Sequence, residues 1–240
     1  MRSFLRFVGV LLFLGVVLPL SAQNKRPQFR PAVIGAGKDS LINRIDSNDL
    51  LKKGQKDGAV MFCALVAPNG DATNAWTYRA MPGTEPLAQE LERRFLNLKF
   101  TPPIYQYQPV SVLLFGTAIF SAAGTPHIQI FLNQDPDEIK ALHDFVAPQP
   151  VIGGDSKFHG LTLPEGGTPV PMKAVVDTRL KVDRNGELKD LQVLNEEPPL
   201  LGFGAAIVAD FQGAKFIPAF RYGDPDDCDI PQPICFPPTE

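Results

Sequence analysis

Three histidines, three cysteines and one acidic run are the side chains whose types could carry chemistry in this chain. His127, His143 and His159 lack the spacing at which zinc ligands recur, and His143-Asp144 is only a neighbouring pair. Asp224, Asp226, Asp227 and Asp229 could attract Ca²⁺, but the run lacks the glycine and the terminal glutamate of a calcium loop. It is expected to be a solvated loop. Gly35-Ala36-Gly37-Lys38 does not have the Gly-x-x-x-x-Gly-Lys-Ser/Thr spacing that cradles phosphate. No Gly-x-Ser-x-Gly elbow marks a nucleophilic serine, and no carboxylate pair can be assigned to one cleft. The expectation is a non-enzymatic chain with no metal and no cofactor.

The thiols are Cys63, Cys228 and Cys235, an odd number that leaves at least one unpaired in a monomer. In an extended strand Cys228 and Cys235 would stand roughly 23 Å apart, beyond the reach of a disulfide. A bridge between them needs the proline-broken segment 229–234 to fold back. Against that, Ile234 and Phe236 match Ala118 and Phe120 of an expected strand. The bridge, a pairing with Cys63, and buried free thiols all stay open.

That match comes from a frame the chain uses twice. Asn69-Gly70, Lys99-Phe100-Thr101-Pro102 and Phe120 recur as Asn185-Gly186, Lys215-Phe216-Ile217-Pro218 and Phe236, each 116 positions later without a gap. Asn69, Gly70, Pro82, Phe95, Lys99, Phe100, Pro102, Pro109 and Phe120 have identical partners, where ordinary usage would give roughly three matches by chance. Val33-Ile34-Gly35 and Val151-Ile152-Gly153 suggest that each copy opens with the same short apolar element.

The apolar pattern supplies the elements. Ala59–Ala67 and Ala75–Ala80 read as strands around an Asn-Gly turn, whose two residues both accept positive φ. Thr84 can cap a helix through Leu98, with Pro86 in its first turn. Leu87, Leu91, Phe95 and Leu98 share one face of that helix, and Pro102 stops it. Val110–Phe120 is the third strand. Copy two repeats this with Ala174–Val182, Leu188–Leu194, a helix carrying Phe203, Ile207 and Phe211, and a strand ending at Phe236. Leu41, Ile42, Ile45 and Leu50 suggest a short helix between Lys38 and Lys53. Ile128–Asn133 reads as a strand, followed by a helix from Asp135-Pro136 carrying Ile139, Leu142 and Phe145. The fold class is α+β, with strand-strand-helix-strand units that bury one sheet face under a helix.

The copies differ on the other sheet face. In 174–182, Asp177, Arg179, Lys181 and Asp183 alternate with the core residues and imply a wet back face. In 59–67 the same face carries Met61, Cys63, Leu65 and Ala67. It must be covered, by the Leu41–Leu50 helix or by the other copy, or else serve as a surface for a ligand or a homodimer. Trp76 and Tyr78, on the adjacent strand, can join either face.

Arg2 and Arg6, an apolar run from Phe7 to Leu20, and Leu20-Ser21-Ala22-Gln23 form the charged, apolar, small order of a secretory signal peptide. Cleavage is expected between Ala22 and Gln23. Residues 1–22 hold two arginines and no acid, so 21 basic and 26 acidic side chains remain and the formal charge is −5. That balance argues against nucleic acid or anionic membrane as the main partner. No later segment is apolar enough to span a bilayer.

With these motifs in place, both copies resemble the C-terminal domain of the TonB family of energy transducers. The resemblance rests on Asn69-Gly70, Leu87, Phe100-Thr101-Pro102 and Phe120, and on Asn185-Gly186, Ala205-Ala206, Phe216-Ile217-Pro218 and Phe236. It implies two tandem TonB-C-like domains, at 23–124 and 125–240, behind a signal peptide at 1–22. It also implies binding of a protein or peptide, such as an envelope receptor, by β-augmentation. The chain lacks the membrane helix and long proline-rich spacer of a transducer. The functional expectation is an exported, periplasmic or secreted protein-binding module that works through a sheet edge or through the apolar face of Met61, Cys63 and Leu65. A structural or accessory dimer in a cell-envelope transport system is the alternative, and a hydrolase or metal-binding protein ranks below it.

Overall fold

The computed structural model describes residues 26–35, 41–165 and 172–237. The leader with its Ala22-Gln23 junction, and Ala36, Gly37 and Lys38, lie outside the described residues. The first half runs β1 (Phe29–Arg30), α1 (Leu41–Arg44), α2 (Ser47–Lys52), β2 (Gly58–Val66), β3 (Ala72–Ala80), α3 (Glu85–Phe95), β4 (Ile104–Tyr105), β5 (Gln108–Pro109) and β6 (Ser111–Ser121). A connecting stretch carries β7 (His127–Phe131), α4 (Pro136–Ala141), β8 (Phe145–Val146) and β9 (Gln149–Ile152). The second half runs β10 (Ala174–Val182), β11 (Leu188–Glu197), α5 (Phe203–Asp210), β12 (Phe216–Ile217), β13 (Ala219–Arg221), β14 (Asp224–Asp226) and β15 (Cys228–Phe236). The class is α+β, built from several antiparallel sheets.

The repeated residues make one repeated contact. Gly70 has φ +89° and Gly186 +79°, and a Cβ on either would strike the carbonyl oxygen of Phe100 or Phe216, at 2.2 and 1.9 Å. Phe100 N–H donates to Gly70 O at 2.8 Å, and Phe216 N–H to Gly186 O at 3.0 Å. Each lysine before that phenylalanine pairs with the acid after the turn, Lys99 with Asp71 at 2.7 Å and Lys215 with Glu187 at 2.8 Å. The Asn-Gly and Lys-Phe identities are thus two sides of one dock between the hairpin turn and the helix exit. Of the two turn residues, only glycine takes positive φ, so each turn closes with a left-handed glycine rather than the two-residue form expected.

The first sheet has the order β12-β9-β6-β2-β3, with β7 also on β6, and the second has β11-β10-β15. Ile34 makes an isolated bridge to Phe100 where Pro150 of β9 pairs with Phe216, so the structural counterpart of Ile34 is Pro150 and not Ile152, two residues from the expected match. The first sheet extends past Gly124, because β7 pairs with Thr117–Ser121 and β9 with Ser111 and Val112. An uncovered β6 would leave a long row of unpaired backbone groups. α3 buries Leu87, Leu91 and Phe95 against Val60, Phe62 and Phe120, and α5 buries Phe203, Ile207 and Phe211 against Val176, Leu180 and Phe236.

Three expected helices differ in extent. The Leu41–Leu50 helix is split, because the Asp46 carboxylate accepts from the Asn48 and Asp49 N–H groups and starts α2 afresh. α4 stops at Ala141, since Leu142 turns left-handed at φ 53°, and Phe145 lies in β8. α3 ends at Phe95, and the Thr84 hydroxyl donates to Met81 O at 2.6 Å instead of capping the helix.

Candidate functional site

The chemistry-bearing side chains do not converge. Among the described residues no three His, Cys, Asp or Glu side chains are grouped to hold a metal. Three of the four acids in the run are tied into ion pairs: Asp226 with Arg221, Asp227 with Arg184, and Asp229 with Arg179. His143 sits 2.7 Å from Glu138, whose carboxylate lies below its usual range because Arg221 hydrogen-bonds it.

Cys228 and Cys235 stand at opposite ends of β15, opposite Val182 and Val175 of β10. All three cysteines are free and buried. The Cys228–Cys235 bridge is therefore not formed: the unbroken β10–β15 ladder keeps the segment extended, prolines included. Burial pushes the Cys228 thiol up to about 12 and Cys235 up to about 11, and raises the Cys63 thiol as well.

The back face of the first sheet is an internal interface. Cys63, Trp76, Tyr78, Leu113 and Phe115 share one core with Val175, Cys235 and Phe158, and Met61 and Leu65 pack against it half-buried. The expected partner surface of Met61, Cys63 and Leu65 is thus covered by the second half. Leu65 borders what remains open, an apolar cavity of about 220 Å³ with Trp76, Leu113 and Phe158. Polar contacts lock the seam. The Tyr78 hydroxyl donates to Pro233 O at 3.1 Å, and Gln232 Nε2 donates to Gln134 Oε1 at 2.7 Å. Arg79 makes a two-bond pair with Asp177 and holds that carboxylate below its usual range. The wet face expected in copy two survives beyond the seam, where Arg179 and Lys181 are exposed.

The outer flanks of β6, β15 and β3 are each blocked at least in part, while β7 keeps a short outer edge of its own on the first sheet. β6 is covered by β7 and β9. β15 carries Pro231 and Pro233 on either side of Gln232, and a proline has no N–H to offer a new strand. On β3, Glu92 of α3 reaches the edge at Thr77, where its Oε1 accepts from the backbone N–H and from the hydroxyl, both at 2.7 Å. Lys173 Nζ donates to the Thr77 carbonyl at 3.1 Å, so both edge-facing groups of that residue are taken.

β11 is the counterpart of β3 and is open. Val193 pairs with Thr178 as Thr77 pairs with Phe62, which turns its N–H and C=O outward. Among the described residues no side chain caps Val193. Position 208, in register with Glu92, is valine and is 49% exposed. Where α3 presents Gln89, Glu92 and Arg93, α5 presents Ala205, Val208 and Ala209. Beside those small side chains lies an open surface depression of about 570 Å³, lined by Leu188, Leu191, Ala205, Val208, Ala209 and Phe211 together with Lys189, Asp190 and Gln212. The N-terminus of α5 is already occupied. The Glu196 carboxylate accepts from Gly204 N at 2.7 Å and Leu201 N at 3.0 Å, and these bonds hold it below its usual range.

The chain matches no family model, no curated protein and no solved structure. No helix among the described residues is long and apolar enough to cross a membrane. Sequence reasoning pointed to the back face of copy one and missed Leu191, Val193 and Val208 in copy two. The signal was available in the 116-residue register, as a loss of three long polar side chains from the outer helix face.

Proposed function

We propose that this protein is an exported, periplasmic, non-enzymatic protein-binding module of two tandem TonB-C-like domains, and that it binds through the β11 edge and the adjoining face of α5. The observation that carries the reading is the contrast within one molecule. Two edges in the same register have opposite treatment: β3 is stoppered by Glu92 and Lys173, while β11 faces an open depression where the stopper would be. An open edge with an apolar slot beside it is what β-augmentation requires, because the backbone supplies affinity and the slot supplies selectivity. The first domain acts as a scaffold in this reading, with its apolar back face spent on holding the second.

The test is site-specific photocrosslinking in cells that export the full chain, with the crosslinking residue at position 193 or at position 77. A discrete adduct at 193 and none at 77 is the expected result. Equal adducts at both positions, or none at 193, would refute the proposal.

A further inference from the structure

We infer that the flank of α5 turned away from β11 is a docking groove for a basic, amphipathic α-helix of a partner protein. The groove is open, holds about 500 Å³ and lies between α5 and residues 162–165. Leu163, Pro164, Leu201, Ala205, Ala206 and Ala209 make its apolar lining. Among the described residues its only charges are the carboxylates of Glu165 and Asp210. This site is separate from the β11 edge and does not depend on it.

Copy one shows what the fold lays on that flank. The chain from α1 to Gln55 runs antiparallel along α3. Arg44 Nη1 donates to Asn97 O, just past the end of α3, at 2.7 Å, and Gln55 Oε1 accepts from Leu87 N, near its start, at 2.8 Å. Leu41, Ile45 and Leu50 of that stretch are buried in one core with Leu87, Leu91 and Phe95. The cover is thus mostly helical, apolar on one side, and sets a base over the negative end of α3. Copy two runs the same course without a helix. Thr162, 116 positions after Asp46, donates its N–H to the Asp210 carboxylate at 2.7 Å, and Pro164 lies beside Gly202 at the start of α5. Residues 157–165 form no helix. α5 itself is apolar outside as well as inside, since Ala205, Ala206 and Ala209 stand where α3 has Gln89, Glu90 and Arg93. A helix apolar all round belongs against a partner.

Shape and charge select the occupant. α5 from Phe203 to Asp210 is about 12 Å long, which matches about two turns of a facing helix. Its alanines let the two axes approach closely. A strand has nothing to pair with here, because the interior of a helix bonds its own backbone and Pro164 has no N–H. A small molecule would stay largely in water in so open a trough. A second copy packed face to face would set Glu165 and Asp210 against the same carboxylates. The two acids instead match lysine or arginine on the rim of a partner helix, and the acidic balance of the chain favours the same encounter.

The test uses the full exported chain and fluorescence anisotropy with three labelled fourteen-residue peptides, each held helical by a side-chain lactam. The first has leucines along one face and lysines on both flanks. The second has the same composition with the leucines spread around the helix, and the third has glutamate for lysine. The first is expected to bind, and the others about tenfold more weakly or worse. Ala209→Arg restores the copy-one residue at an exposed site and should weaken the first peptide about tenfold with unchanged circular dichroism. Asp210→Asn keeps an acceptor for Thr162 and should weaken it about threefold. Equal binding of the second or third peptide, or undiminished binding by both variants, overturns the inference. Val193→Pro should leave the first peptide unaffected; a loss as large as that of Ala209→Arg places the peptide on β11 and overturns it. Absence of binding by every peptide also overturns it, and the position-193 adduct still decides the β11 reading by itself. Two chains per particle in light scattering, returned to one by Ala209→Arg, assign the groove to a second copy and overturn it as well.

Discussion

Glu92→Val removes one of the two stoppers of the β3 edge, leaving Lys173 on the Thr77 carbonyl, and tests the comparison on which the proposed function stands. Glu92 Oε1 receives two bonds of 2.7 Å, from the backbone and the hydroxyl of Thr77, a residue only 7% exposed. A hydrogen bond to a charged group contributes about 1.5–3 kcal/mol, and part is regained when water reaches the opened edge. The expected net loss is about 2 kcal/mol. Because Trp76, the only tryptophan, lies in the core shared by the two halves, its fluorescence reports urea unfolding of the relevant region. Hydrogen exchange at the Thr77 amide should quicken about thirtyfold, the same energy expressed as a ratio. An unchanged Thr77 exchange rate and an unchanged urea midpoint would show that Glu92 does not hold the edge, and the contrast with β11 would lose its meaning.

Other outcomes follow from the same contacts. Gly186→Ala places a methyl 1.9 Å from Phe216 O at a left-handed position, and should cost about 3 kcal/mol or more by thermal unfolding. All three thiols should resist a disulfide reagent at pH 8 and react fully in guanidinium without reductant, since burial keeps them protonated; a bridged pair would leave two silent. Asp177→Asn should destabilise the seam by about 1 kcal/mol at neutral pH. Arg79 lowers the Asp177 carboxyl, so its contribution is full above the unfolded carboxyl pKa and fades as pH falls through the lower folded value. The difference between wild type and Asp177→Asn should therefore shrink on acidification below about pH 4, and a constant difference would refute the assignment.

Local periodicity and the 116-residue register made most of the fold legible. Gly58–Val66 and Ala174–Val182 fall one register apart, and Leu87, Leu91 and Phe95 bury as their spacing requires. What stayed hidden depends on partners distant in sequence. Nothing near His127 or Gln149 announces that β7 and β9 will close the edge of β6, because ladder bonds carry no side-chain signature. The break at Asp46 and the left-handed Leu142 are backbone choices that an amphipathic pattern does not register. The candidate site was half legible. The replacement of Glu92 by Val208 is visible in the aligned copies, but its meaning needs the observation that Glu92 turns toward the strand edge and not toward solvent.

The closure of β6 by β7 and β9 also sets an order of assembly. Synthesis delivers a chain from its N-terminus, so β2, β3, α3 and β6 emerge before the strands that complete their sheet. Until Ile152 arrives, the long apolar β6 presents an uncovered edge, and until β15 arrives the back face with Cys63 and Trp76 is bare as well. A fragment cut at Gly124 would keep its helix-side core and expose both surfaces at once. The repeat therefore behaves as two copies in design and as one unit in assembly, with the first copy unable to finish before the last strand of the second.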